Sequence, residues 1–236
     1  MRVKTYVLVH GAFHGAWCWN EVIAILRAKG HTVHAPTLTG LGERSHLMSI
    51  GPTLDTFIED VAQVIRYEEL EDVILVGHSF AGSVVSGVAD RLRERLRHLV
   101  YLDALLIPPG SSSADHAPEG VENYRRRAMS VENQLAVPPP RAEHLGIPDP
   151  GKAGTIAAKL TPHPLQPFYD KLNVKDPLGN GVAATYIACS NPYYPATARS
   201  RELARSLRGW RYMELSTGHS AMTLVPAELS EILSSI

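Results

Sequence analysis

The sequence predicts an α/β fold, a mostly parallel sheet with helices on both faces and an inserted lid, and three features of the 236-residue chain predict it. Short apolar runs at residues 6–9, 73–76, 98–102 and 183–189 show no polar alternation, which is how strands read when both their faces are buried. Segments with apolar residues at helical spacing lie between such runs, so the connections are crossovers and the strands parallel. From residue 104 to about 180 this alternation stops and prolines accumulate, among them Pro108, Pro109, Pro138, Pro139 and Pro140. A structureless loop of that length is uncommon inside a compact domain. The expected division is a core of residues 1–103 and 181–236, with a lid of short helices and turns at 104–180.

The first strand, Tyr6-Val7-Leu8-Val9, runs into His10-Gly11-Ala12-Phe13-His14-Gly15-Ala16-Trp17-Cys18-Trp19, whose glycines let backbone amides approach a ligand closely. A helix follows with Val22, Ile23 and Leu26 on one face and Gly30 past its end. No Gly-x-Gly-x-x-Gly pattern accompanies it, so a dinucleotide site is not expected. Residues 32–35 form a second strand and 37–46 a glycine-rich connection. Thr53 opens a helix whose buried face carries Leu54, Phe57, Ile58, Val61, Val64 and Ile65. Next comes Val73-Ile74-Leu75-Val76-Gly77-His78-Ser79-Phe80-Ala81-Gly82: a buried strand, a turn too tight for side chains, then a helix with Val84, Val85, Val88 and Leu92 inward. The cations from Arg91 to Arg97 suit a solvated helix end. The strand at 98–102 stops on the carboxylate of Asp103. After the insertion, Ala183-Ala184-Thr185-Tyr186-Ile187-Ala188-Cys189 is a strand, a helix surrounds Arg201 to Leu207, and Tyr212-Met213-Glu214-Leu215 is a strand. His219 then lies on a loop, and Pro226 opens a last helix with Leu229, Ile232 and Leu233 inward.

Bulk properties narrow the partners. At 44% hydrophobic residues the chain can bury a sizeable core, and a formal net charge of -1 provides no field to draw nucleic acid or an anionic membrane. No apolar run is long enough to span a bilayer, and the first residues lack the basic then apolar pattern of an export signal. Cys18 and Cys189 form neither a disulfide framework nor a metal-ligand spacing, so both are expected to be inert and buried, in a reducing cytoplasm. No metal or cofactor is expected. Small neutral or mildly polar partners are the default, and a homodimer stays open.

The strand, turn and helix around Ser79 hold its hydroxyl clear of the backbone and set the first helical amides beside any anion forming on a substrate. A Gly-x-Ser-x-Gly or Ala match alone turns up by chance in roughly one chain in five to ten. Its weight comes from company. Ligands of open parallel sheets bind at the carboxyl ends of strands, and four useful groups sit at such ends: the backbone near Ala12, then Ser79, Asp103 and His219. A neutral imidazole at His219 can take the Ser79 proton as the hydroxyl attacks an acyl carbon. A carboxylate would orient the ring, and the amides of Ala12 and Phe80 would receive the oxyanion.

Val9-His10-Gly11-Ala12-Phe13-His14-Gly15-Ala16-Trp17-Cys18-Trp19, Gly77-His78-Ser79-Phe80 and Gly218-His219, in that chain order, resemble the α/β-hydrolase superfamily over essentially the whole length. The branch most similar holds plant methyl esterases, hydroxynitrile lyases and small bacterial esterases, including those that cleave carbamate and pyrethroid agrochemicals. The resemblance implies an α/β-hydrolase fold and a serine hydrolase that cleaves a carboxylic or carbamic ester of a small, fairly apolar molecule through an acyl-enzyme. In most of the superfamily the acid follows the strand at 186–189, yet Ser190-Asn191-Pro192-Tyr193-Tyr194-Pro195 contains no carboxylate. Some members, haloalkane dehalogenases among them, carry it one strand earlier, which is where Asp103 stands. Asp103 is therefore assigned. Otherwise it caps the start of the lid, and Asn191 or a water orients His219.

Phe13, His14, Leu105, Tyr193 and Tyr194 are expected to line the substrate pocket. His10 is expected to brace the oxyanion turn, His78 to point away from the serine, and Arg44 to form a structural salt link. Two other functions share the fold. The resembling lyases carry a lysine after the catalytic histidine, where this chain has Ser220. A non-catalytic receptor has no need of Ser79, His219 and the oxyanion turn together. Superfamily members that attack with an aspartate have it where this chain has Ser79.

Overall fold

The computed structural model describes residues 3–175 and 177–236. In chain order the elements are β1 (Thr5–Val9), α1 (Asn20–Ala28), β2 (Thr32–His34), α2 (Leu54–Tyr67), β3 (Val73–His78), α3 (Ala81–Arg91) and β4 (Leu96–Leu102). The insertion contributes α4 (Ser113–His116), α5 (Pro118–Arg127), β5 (Met129–Val131), β6 (Gln134–Val137), α6 (Pro150–Ala157) and β7 (His163–Pro164). Then follow β8 (Ala183–Cys189), α7 (Ala198–Ser206), β9 (Arg211–Leu215), α8 (Ala221–Leu224) and α9 (Pro226–Ser235).

The main sheet has six strands in the order β2-β1-β3-β4-β8-β9, and every pairing is parallel. Its strands are apolar throughout because successive residues feed opposite layers. Tyr6 and Leu8 of β1, with Ile74 and Val76 of β3, pack against Val22 and Leu26 of α1 and Leu229 and Leu233 of α9. Val7, Val9, Val73 and Leu75 face the other way, onto Phe57, Val61 and Ile65 of α2 and Val84 and Val88 of α3. Each such side chain contributes about 1.5–3 kcal/mol by leaving water. The helix expected to begin at Thr53 does so, and the Thr53 side chain caps it by accepting from the Thr56 amide while Thr56 answers in a capping box.

Strand order places the site. From β1 the chain moves outward to β2, then crosses back to β3 on β1's other side, so the connections leave in opposite directions and open a crevice beyond the carboxyl ends of β1 and β3. Val9 pairs with Gly77, which sets the turn after β1 beside the turn after β3.

Between β4 and β8 the described residues form short helices and turns together with a three-stranded antiparallel sheet, β5-β6-β7. Its hairpin was illegible because the turn is Glu132-Asn133, both at positive φ of 49° and 62°, in place of the Asn-Gly pair that marks such turns. The cationic run also divides differently from expectation: α3 ends at Arg91, and Arg97 already lies in β4, paired with Asp72. Among the described residues no helix is long and apolar enough to cross a membrane.

Two glycines show how tightly α3 crosses the sheet. A Cβ on Gly77 would stand 2.5 Å from Val85 Cγ2 and 2.8 Å from the Ala81 carbonyl oxygen. On Gly82 it would stand 2.2 Å from the Leu105 carbonyl oxygen. Gly77 thus admits no side chain where the strand meets α3, and Gly82 admits none where α3 meets the chain just past β4. Gly82→Ala is expected to lower stability by about 1–3 kcal/mol, since backbone must move to admit the methyl. Denaturant unfolding with an unchanged midpoint would contradict it.

Candidate active site

Ser79 sits at φ 55°, a left-handed conformation that ends β3 and starts α3 within one residue. Its amide donates to the Leu102 carbonyl at 3.2 Å, and its own carbonyl accepts from Gly82 at 3.1 Å and Leu105 at 2.9 Å. These bonds hold the turn against a strain of order 1–3 kcal/mol. The side chain stays partly open to a cavity.

The Ser79 hydroxyl donates to His219 Nε2 at 2.9 Å, and His219 Nδ1 donates to Asp103 Oδ2 at 2.7 Å. Asp103 is fully buried, at φ 41°, just past the end of β4. Its other oxygen, Oδ1, accepts from Arg201 Nη2 at 2.8 Å and from Thr197 Oγ at 3.2 Å. Arg201, 5% exposed, also donates through Nη2 to the Cys189 carbonyl and through Nε to Thr197. A buried carboxylate is costly unless paired and hydrogen-bonded. Here α7 provides the pairing while the His219 loop takes the remaining oxygen. Asn191 approaches this loop through its backbone, donating to the Thr217 carbonyl at 3.0 Å.

His10 braces the neighbouring turn. Its Nδ1 donates to the Gly11 carbonyl at 2.8 Å and its Nε2 accepts from the Leu38 amide at 3.0 Å, so the neutral ring is used on both sides. Burial pushes its pKa down to about 4. Ala12, Ser79 and Phe80 line one cavity together. Phe13, at φ 68°, packs edge-on to Tyr124 and His163. His14 donates from Nδ1 to the Ala12 carbonyl at 2.8 Å and stacks on Trp17. Arg44 forms its salt link with Asp60, at 3.2 Å.

His78 departs from expectation. Its ring lies 4.5 Å from that of His219, its Nε2 donates to the His219 carbonyl at 2.9 Å, and it lines the cavity. His78 is the last residue of β3, and its ring is held at the site by the bond to the loop that carries His219. Burial and the facing His219 hold its pKa well below the usual histidine value, so it stays neutral. Tyr124 of α5 was also missed. It lines the cavity at Ser79 together with Tyr194, whose ring lies 4.1 Å from the His219 ring. No sequence spacing marks Tyr124, since it enters from the insertion. Tyr193 is half exposed at the rim, under the Arg201 guanidinium at 4.4 Å.

Two cavities meet at Ser79. One, about 280 Å³, is lined by Gly11, Phe13, His14, His78, His219 and Tyr193 among others. The second, about 230 Å³, is lined by Phe80, Leu105, Val121 and Phe168, and both share Ala12, Ser79, Tyr124 and Tyr194. A larger but open depression near Arg27, His31 and Glu68 holds none of these groups. Among the described residues, no group of three His, Cys, Asp or Glu side chains is arranged to hold a metal ion.

With an elbow serine, a histidine and a buried carboxylate in one hydrogen-bonded line at the switch point of a parallel sheet, likeness to known proteins is informative. Residues 6–232 match the profile of the Alpha/beta hydrolase family. The chain belongs to that family. A carbendazim hydrolyzing esterase of Nocardioides sp. (strain SG-4G) is 34% identical over 244 residues, 99% of this chain and 100% of that protein. A pyrethroid hydrolase of Sphingobium wenxiniae is 34% identical over 112 residues, covering 47% of this chain and 39% of that protein. Plant methylesterases and an alpha-hydroxynitrile lyase of Arabidopsis thaliana match as well. In structure, an extracellular alpha/beta-hydrolase from a Paenibacillus species superposes with a TM-score of 0.83 at 24% identity, covering 98% of each chain, which speaks for the fold. These family relatives support an esterase-type hydrolase function.

His163 lies beneath the site, fully buried, with ring centroids 5.1 Å from Phe80 and 4.7 Å from Phe168. Desolvation pushes its pKa down to about 3. The unfolded chain protonates both His163 and His10 near pH 6.5, whereas the folded protein resists until about 3 and 4. Folding stability from these rings is therefore complete above pH 6.5 and lost as the pH falls. Each contributes a loss of roughly 3 kcal/mol by pH 4. Urea unfolding across pH 7 to 4 checks this, and a flat profile would refute it.

Proposed function

We propose that this hydrolase is a serine esterase acting on a carboxylic or carbamic ester of a small, fairly apolar molecule. The observation that carries the reading is the Ser79–His219–Asp103 chain of hydrogen bonds, 2.9 Å and 2.7 Å, opening onto a partly apolar cavity. Ser79 Oγ attacks the acyl carbon and its proton passes to His219 Nε2. The amides of Ala12 and Phe80 receive the oxyanion, a contribution of about 2.7–4 kcal/mol per donor. The bond to the leaving oxygen or nitrogen then breaks, and that atom takes the proton from Nε2. Water repeats the cycle: it loses a proton to Nε2, its oxygen attacks the acyl carbon, and the returning proton restores the serine. Asp103 holds Nδ1 protonated and faces the imidazolium while it exists.

The chemistry draws on side chains and amides of the chain itself. Residues 104–180 act as a lid, contributing Tyr124, Val121 and Phe168 over the serine and keeping water from the bound ester. Both cysteines are free and buried, which suits the reducing cytoplasm in which we place the protein.

A fluorophosphonate probe followed by peptide mass mapping tests the reading. Labelling is expected on the peptide holding Ser79 and absent from Ser79→Ala, together with loss of ester hydrolysis. An unlabelled Ser79 in folded protein would overturn it.

A further inference from the structure

The two cavities that meet at Ser79 differ in a way that assigns the two halves of the ester. Only the chamber of about 280 Å³ is walled by His219; the chamber of about 230 Å³ is walled by Phe80, Leu105, Val121 and Phe168 and has no histidine. Tyr124 and Tyr194 belong to both walls and stand between the two chambers. The mechanism above requires the leaving atom to collect its proton from His219 Nε2, so the leaving group must depart on the His219 side. The acyl group stays on Ser79 Oγ with its oxyanion toward Ala12 and Phe80, and its substituent then extends past Phe80 into the other chamber.

We propose that the Phe80–Leu105–Val121–Phe168 chamber is the acyl site and the His219 chamber the leaving-group site, divided by the Tyr124–Tyr194 pair. This deepens the serine-esterase reading and rests on it. The acyl chamber holds roughly eight groups of about 30 Å³ each. Beyond Ser79 and the two tyrosines shared with the other chamber, its lining is apolar save for Ser113 and Asn123. The substrate class is therefore an ester or carbamate whose acyl part carries an apolar chain or single ring of about that size. The other chamber presents His14, Arg127 and His144 and the rim Tyr193, and so takes a polar or aromatic alcohol. Val121, 4% exposed on α5, lines the acyl chamber and is absent from the wall of the other.

Two ester series test the assignment in the full chain: 4-nitrophenyl esters from acetyl to decanoyl, and acetates of methanol, phenol and 4-nitrophenol. In the wild type, kcat/KM is expected to peak at an acyl group of about eight non-hydrogen atoms. Val121→Trp is expected to lower the octanoyl-to-acetyl ratio by roughly tenfold or more, leaving the ratios among acetates in place. Leu145→Trp, in the other wall, is expected to lower the phenyl-to-methyl ratio and leave the acyl optimum in place. Should Val121→Trp not fold, Val121→Ala moves the acyl optimum to longer chains instead. An acyl profile that neither Val121 variant moves, or a Val121 variant that shifts the acetate series alone, overturns the assignment. Hydrolysis retained in Ser79→Ala would instead strike at the serine reading itself, so the two failures are distinct.

Discussion

Asp103→Asn is expected to cut turnover about ten-thousandfold in a protein that still folds. The reason lies in the two sides of the carboxylate. Arg201 Nη2 at 2.8 Å and Thr197 Oγ at 3.2 Å both donate to Oδ1, so an asparagine must keep its carbonyl oxygen there. Its amide nitrogen then faces His219 Nδ1, 2.7 Å away in the native protein, and donates to it. The imidazole is driven to the tautomer with the proton on Nε2, which cannot accept from Ser79. Steady-state hydrolysis of a 4-nitrophenyl ester measures the loss, and thermal unfolding shows that the fold persists. Turnover within tenfold of the wild type would return Asp103 to the role of a cap at the start of the insertion.

Arg201→Met is expected to destabilise the protein by about 3–5 kcal/mol, because it leaves the carboxylate of Asp103 buried without its cation. For a chain of this size that is on the order of 10 °C in melting temperature. The pair is almost wholly out of water, with side-chain exposures of 6% and 0%, so solvent does not screen the loss. The control is the double variant with Asp103→Asn. Removing the charge together with its partner is expected to restore most of the lost stability, whereas additive losses would show that Arg201 matters through packing on Tyr193. The exposed pair of Lys29 and Glu231 provides the contrast, since such pairs contribute about 0–1 kcal/mol.

Much of this molecule is local and therefore legible along the chain. Val73 to Val76 must be a strand buried on both faces, because four consecutive apolar residues have no other way to avoid water next to a turn. Thr53 marks a helix start, and α2 begins there. Ser79 could be singled out because an elbow needs small neighbours at fixed offsets. The hairpin at Glu132-Asn133 escaped notice, since a residue forced to positive φ by its surroundings leaves no mark in its own identity.

What lay beyond the sequence was which distant groups meet. The contacts of His219 span 116 positions to Asp103 and 140 to Ser79. The choice of Asp103 over Asn191 depends on β4 lying next to β3 with its end turned toward the serine. The inward turn of His78, the arrival of Tyr124 from the insertion and the division of the cavity into two chambers share that origin. The chain by itself determined the strands, the helices, the elbow and the kinds of side chain available, because hydrophobic period and glycine placement act within a few residues. Only the tertiary structure brought Asp103, the carboxylate assigned from the sequence, onto His219 and decided which walls enclose the cavity, because those depend on strand order and on how residues 104–180 fold back over the sheet.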